Sequence, residues 1–455
     1  MSYISAGTTT TTSLIQGGDI TGNLVIATGN ANTTALTISA TQNATFANNV
    51  SVAGNITVGN IINNGINSVT GNVTGGNVLT GGIMSSTGNA VHGNILTSGA
   101  VSATGSITSV NTFGFKNRFI NGDMRIDQRN AGASITQSTS TTYTLDRWAC
   151  YGSVASKFTV QQNAGSITPP AGFINYLGCT SSSAYTVGAG EYFSIIQKIE
   201  GFNMADLGYG TANAKTITFS FWVYSSLTGT FGGALKNANG TRSYPYSYTI
   251  SSANTWTQIS LTIVGDTTGT WTTSSATGME VWFSLGTGST YSGTAGAWAG
   301  ANYTSATGAT SVVGTSGATF YITGVQLEVG SQATSFDFRD YGRELLLCQR
   351  YYQYLGNGTN DSFGPGVFVN ASTLYGFGTF IVTLRSTPTI GYSALADFSI
   401  SSGTAASNAT AISDYGTKND AWSIQFSGTG VNAANQPGFV RANSSSSKLT
   451  FSSEL

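Results

Sequence analysis

Tyr291, Trp298 and Tyr303 fall in the stretch LGTGSTYSGTAGAWAGANYTSATGATSVVGTSG, residues 285–317. Most of the other side chains there are Gly, Ala, Ser or Thr. Trp271 follows DTTGT at another expected loop tip. A flat ring lies well against the C–H face of a pyranose, and nearby amides and carboxylates take the hydroxyls. Rings in so small-residued a loop either stand out as a platform or plug a hole beneath it, and both readings stay open here. Trp222 and Trp282 sit within expected strands and read as core. Tyr375, Tyr415 and Trp422 are weaker platform candidates.

Other chemistry is poorly supplied. His92 is the single histidine. A Ser-His-Asp or Cys-His arrangement needs a histidine near its nucleophile, and a zinc site usually needs His or clustered Cys. Glycoside cleavage needs two carboxylates roughly 5–10 Å apart in a groove. Asp123 with Asp127, or Asp337 with Asp340, meet the pairing only by proximity in sequence. The expectation is therefore no enzyme: no catalytic residue, no cofactor and no metal site. Cys150, Cys179 and Cys348 are too few and too scattered for a disulfide scaffold, so buried free thiols are expected, with a Cys150–Cys179 bridge as the alternative.

The composition says what must position these groups. The 455 residues include 59 Gly and only 6 Pro, and 8% are charged, against roughly 25% in ordinary soluble proteins. The net charge of −1 argues against a nucleic-acid partner. No apolar run approaches the roughly 18–20 residues of a membrane span, so no membrane insertion is expected. The opening MSYISAGTTTTTS has neither the basic nor the apolar part of a secretory signal, which points to synthesis in a cytoplasm.

Residues 1–45 are Thr-rich, with short strands expected over 23–27 and 34–40. Residues 54–104 hold three copies of a 17-residue repeat, opening with Gly-Asn at 54, 71 and 88. Each copy has one thin apolar face that it cannot bury alone. A β-solenoid or an intertwined homotrimer would bury it, and the trimer better explains the missing charge. His92 takes the slot of Val58 and Gly75 and reads as a packing residue; three copies around an axial ion are the sharper alternative. The segment FKNRFINGDMRIDQRNAG, 115–132, then brings six charged residues where the preceding 114 hold only Asp19. A fibrous segment ends there and a globular one begins. Ile120 and Met124 read as core. Asp123, Arg125, Asp127 and Arg129 alternate in sign as on one strand face, suited to cross-strand or inter-chain pairs, with Asp146 and Arg147 as further partners.

Beyond 115 the pattern is β: strands over 157–162, 192–199, 215–224, 255–264, 280–285 and 318–328. KTITFSFWVY alternates Ile217, Phe219, Phe221 and Val223 against Thr216, Thr218, Ser220 and Trp222. Many strands and little helical pattern imply an antiparallel sandwich. RDYGRELLLCQRYYQYL then places Leu345, Cys348, Tyr352 and Leu355 at helical spacing, predicting a helix over 343–355. Strands return over 375–384 and 422–426. The expected order is an all-β chain: attachment region 1–45, fibrous β shaft 46–115, jelly-roll β-sandwich 116–340, then a short helix and small β domain, 341–455.

Four separated motifs, INGDMRIDQR, DRW, GVQLE and CQRYY, occur in one order between 116 and 353. Together they resemble the receptor-binding region of bacteriophage tail fibres. KTITFSFWVY, NTWTQISLTIVG and FYITGVQLEVG are similar to the jelly-roll carbohydrate-binding module family. SYISAGTTTTTSLIQGGDITGNLVI is similar to fibre N-termini, which attach to the virion. The resemblance implies a homotrimeric fibre in the virion tail, made in the host bacterial cytoplasm. It implies a phage tail or baseplate partner at the N-terminal region and a host surface polysaccharide at the globular end. A capsid-attached or purely structural fibre is the alternative, and a glycan-cleaving depolymerase ranks behind it.

Overall fold

The computed structural model describes residues 24–28, 33–38, 43–46 and 115–455, except 357, 404 and 431. The chain divides into two compact units, 1–101 and 102–455. In the first, Leu24–Thr28, Thr33–Ile38 and Ala44–Phe46 form a three-stranded antiparallel sheet in chain order. In backbone register, Leu24 pairs with Ile38 and Leu36 with Phe46. Two of these strands were expected within a residue or two; the third was not. The repeat and His92 lie outside the described residues.

The second unit is all-β with a jelly-roll head. One six-stranded sheet runs Thr257–Ile263, Ile217–Ser225, Thr319–Val329, Leu177–Ser181, Phe158–Gln162, Ile135–Thr136. Its partner runs Ser243–Ile250, Gly229–Lys236, Thr277–Thr287, Tyr192–Glu200, Trp148–Gly152, Thr142–Tyr143. All pairings are antiparallel, and the chain passes repeatedly between sheets. Alternation supplies the core. Ile217, Phe219, Phe221 and Val223 are buried against Phe231, Tyr246, Val281 and Phe283 in one cluster. Each such side chain contributes roughly 1.5–3 kcal/mol when fully buried. The three cysteines are buried and unbridged, and burial pushes the Cys150 thiol up to about 12.

The charged segment at 115–130 is not the strand that its alternating signs suggested. Asn121 and Met124 take left-handed backbone angles, φ 58° and 61°, which break an extended run. The Asn121 amide stabilises the turn, donating to the Ile126 and Asp146 carbonyls. Ile120 and Met124 are buried, as expected. Arg125 pairs with Asp123 at 2.5 Å, whereas Asp127 accepts the Asn130 and Gly132 N–H groups. Asp146 accepts from Gln128, and Arg129 and Arg147 both reach Glu454, next to the last residue.

The helix is Tyr341–Gln349, shorter than predicted. Asp340 caps it by accepting the Arg343 N–H. Tyr352–Leu355 is a strand instead, because Leu449–Ser452 offers it an edge; tertiary pairing overrides the helical spacing. Thr389–Tyr392 joins the same sheet. The last domain closes into a six-stranded barrel: Ser362–Asn370, Thr373–Thr379, Ala421–Gly428, Ala406–Asp414, Phe398–Ser401, Gln436–Ala442. Its core holds Phe368, Trp422, Ile424 and Phe426, so Trp422 is no platform. Sandwich and barrel are tied at a polar seam. Glu200 accepts from Arg350 and from the Tyr351 hydroxyl, Arg385 donates to the Ser275 carbonyl, and Tyr143 donates to the Leu455 carbonyl.

Candidate functional site

The four predicted ring residues separate into two places. Trp271 is only 8% exposed and donates its indole N–H to the Thr268 carbonyl. Trp298 is half-buried and donates to the Val264 carbonyl at 2.8 Å. Their rings meet edge to face at 5.4 Å, and Tyr209 contacts both, at 5.0 and 5.8 Å. Tyr244 closes the group against Trp298. Asp266 holds the turn that presents Trp271: it takes Arg242 in two hydrogen bonds, of 2.7 and 2.8 Å, and accepts the Thr268 N–H and hydroxyl. These rings are packed as a plug.

Tyr291 and Tyr303 lie elsewhere, half-buried over the outer face of the second sheet. Tyr291 meets Tyr192 edge-on at 4.8 Å. Tyr303 lies flat on Gly293, where a Cβ would come within 2.3 Å of its ring. Below them Trp282 is buried, under the Lys236 ammonium at 4.3 Å, with its N–H on Glu280. Burial pulls the Lys236 ammonium down, against the pull of Glu280.

The open aromatic surface is on the outer face of the first sheet, around Trp222. This residue is half-buried, not core as its place in a strand suggested. The alternation contained the signal, since Trp222 shares a face with Thr218 and Ser220 rather than with Phe219. Trp222, Phe173, Phe336 and Phe338 line a hollow of about 180 Å³ with Ser220, Gln258 and Thr334. The three phenylalanines meet at 4.8–5.3 Å, and Phe338 is 55% exposed. Gly324 makes the floor. It sits at a break in strand register with φ 60°, and a Cβ there would come within 2.6 Å of Phe173 and 3.1 Å of Trp222.

A second hollow of about 120 Å³ shares Phe173 and Phe338 and adds Asp123, Arg125 and Asn175. Burial pushes the Asp123 carboxyl up, against the opposing pull of Arg125. Beyond the groove, Trp256 donates to the Thr168 carbonyl and packs with Tyr224 and Tyr176. Among the six sandwich tryptophans, Trp148, Trp256, Trp271, Trp282 and Trp298 all give their N–H to protein acceptors. Trp222 has no acceptor among the described residues.

The sequence-adjacent carboxylates are otherwise engaged: Asp337 accepts the Asn117 N–H and lies 3.8 Å from Arg339, while Asp340 is the helix cap. Among the described residues no group of three His, Cys, Asp or Glu could hold a metal ion, and no helix is long and apolar enough to cross a membrane.

No protein-family model matches the chain, and no curated protein does. Solved structures share weak likeness. The enzymatically active domain of bacteriophage CBA120 tailspike protein 4 is 12% identical over 41% of this chain, with a TM-score of 0.25; the match spans 20% of that chain. A family 11 carbohydrate-binding module of Clostridium thermocellum, solved with a mixed-linked tetrasaccharide, is 12% identical over 44% of this chain and 98% of its own, with a TM-score of 0.22. The CBM22-1 xylan-binding domain of Paenibacillus barcinonensis Xyn10C is 11% identical over 45% and 99%, with a TM-score of 0.21. Strand order and burial, not these likenesses, define the jelly roll.

Proposed function

We propose that this chain is a bacteriophage tail fibre that attaches the virion to its host by binding a cell-surface glycan, without cleaving it, in the groove around Trp222. The observation that carries the reading is the Trp222 indole: half-buried on a sheet face, lining one hollow with three phenylalanines, with its N–H bonded to no acceptor among the described residues. A pyranose stacks its C–H face on such a ring, the indole N–H donates to a hydroxyl, the Gln258 amide serves others, and the Thr334 oxygen, whose own proton goes to Glu328, accepts. The partners follow from the ordered motifs and the uncharged repeat: two further copies of the chain, and a tail or baseplate protein at the N-terminal region. On this reading the fibre is made in the host cytoplasm and resides in the virion tail. Three copies would raise a weak single-site affinity by roughly 10²–10⁴ where geometry allows.

The test uses cells that the intact protein coats, before and after their surface polysaccharide is stripped, with Trp222→Ala alongside. The expected result is that stripping abolishes coating and that Trp222→Ala lowers it at least tenfold with an unchanged melting curve. Equal coating of stripped cells would favour the structural fibre instead. Undiminished coating by Trp222→Ala would remove the groove from the reading.

A further inference from the structure

Sandwich, helix and barrel meet at a cleft of about 480 Å³, separate from the Trp222 groove. Its size lies within the roughly 300–1,000 Å³ typical of small-molecule pockets. One helix face supplies Tyr341, Leu345 and Gln349, four residues apart in succession, so they stack along one wall. Tyr354 and Asp361 come from the barrel side, and Asp127 from the charged turn of the sandwich.

The wall carries hydrogen-bonding groups that the fold itself does not use. The hydroxyls of Tyr341 and Tyr354, the side-chain amide of Gln349 and the carboxylate of Asp361 have no side-chain hydrogen bond among the described residues. Asp127 differs: two backbone N–H groups at 2.9 and 2.7 Å fix it, leaving lone pairs toward the cleft. Leu345 gives an apolar patch between them. The Lys448 ammonium lies 4.8 Å from the Tyr354 ring centroid and orients that ring. No lysine or arginine lines the cleft among the described residues.

We infer that this cleft is a second saccharide site, shaped for one or two neutral or amine-bearing sugar units. Two phenol hydroxyls, one amide and two carboxylates match a ring of hydroxyls, which need both donors and acceptors. Two carboxylates select against uronic acids and phosphorylated sugars, because like charges brought together in a partly desolvated cleft repel. A ligand here also bridges sandwich and barrel, so binding tightens the seam. The inference does not depend on the Trp222 groove.

The experiment is ligand-observed NMR on the full chain, with glucose, glucosamine and glucuronate as separate millimolar probes. The comparison is between wild type, Gln349→Ala/Asp361→Asn, Tyr354→Phe and Trp222→Ala. Asp361 is exposed and Gln349 half-buried, and Tyr354→Phe removes one hydroxyl only, so these variants should fold, which their melting curves check. Whatever the Trp222 groove contributes, glucose or glucosamine binding that depends on Gln349 and Asp361 should persist in Trp222→Ala, be at least tenfold weaker in the double variant and be several-fold weaker in Tyr354→Phe. Glucuronate should bind more weakly than glucose. Three results would overturn the inference: no probe binding, loss confined to Trp222→Ala, or a calcium titration that the double variant abolishes while sugars stay indifferent to it.

Discussion

Two aromatic groups in the same sandwich have opposite fates. Tyr209, Tyr244, Trp271 and Trp298 meet edge to face, and both indole N–H groups end on backbone carbonyls. Phe173, Phe336 and Phe338 also touch, yet with Trp222 they line a hollow, and the Trp222 N–H has no acceptor among the described residues. Ring content does not separate a plug from a platform. What separates them is whether the polar edge of each indole is already bonded, and whether a neighbouring turn folds over the ring. Asp266 folds a turn over the first group. Gly324 withholds even a Cβ from the second.

The sharpest way to break this comparison is Trp271→Ala. If the first group is structural, the loss should be about 3–5 kcal/mol, as for a buried Trp, read by chemical denaturation. A stability near wild type with lost glycan binding would reverse the roles of the two groups.

Next comes Asp266→Asn, expected to cost about 1.5–3 kcal/mol through its charged hydrogen bonds. Burial alone would raise the Asp266 carboxyl, but the Arg242 guanidinium and the Thr268 donors outweigh it and hold it below the ordinary carboxylate value. A folded pKa below the unfolded one gives stability that is present above about pH 4 and lost as pH falls through the folded value. Acid denaturation of wild type should therefore steepen below about pH 4, and the variant should flatten that limb.

Gly324→Ala should cost about 1 kcal/mol or more, since its φ of 60° strains any side chain and the new methyl meets Phe173. Thermal melting reads the cost, and glycan binding should fall with it as the floor rises. The smallest stability effect belongs to Trp222→Ala, about 1 kcal/mol, since its ring is half-buried on an outer sheet face and its N–H bonds no described residue. A drop of several kcal/mol would make Trp222 a structural residue and erase the contrast.

Strand-like runs placed six of the twelve sandwich strands within about three residues, and period-two alternation named the two faces of Ile217–Ser225, because side-chain direction along a strand is set by the backbone alone; Gly229–Lys236 and Ser243–Ile250, rich in Gly, Ser and Tyr, were not foreseen. The alternation also put Trp222 on the outer face, although occurrence in an apolar-rich strand suggested core. Charge alternation at 123–129 read as a strand face. The turn there depends on Asn121 reaching carbonyls five and twenty-five residues away, which no local period encodes.

The sequence by itself determined that the chain beyond 115 is all-β but for a short helix, and that Phe219 and its row make the core. These follow from residue type and spacing. Tertiary structure alone decided which rings are open. Phe173 and Phe336 are 163 residues apart, and the hollow they share is floored by Gly324 at a break in strand register. It also decided that Tyr352–Leu355 is a strand, by offering it an edge almost a hundred residues further on. Burial and hydrogen-bond partners are properties of contacts between distant segments, so a side chain's availability to a ligand is settled only when those segments have met.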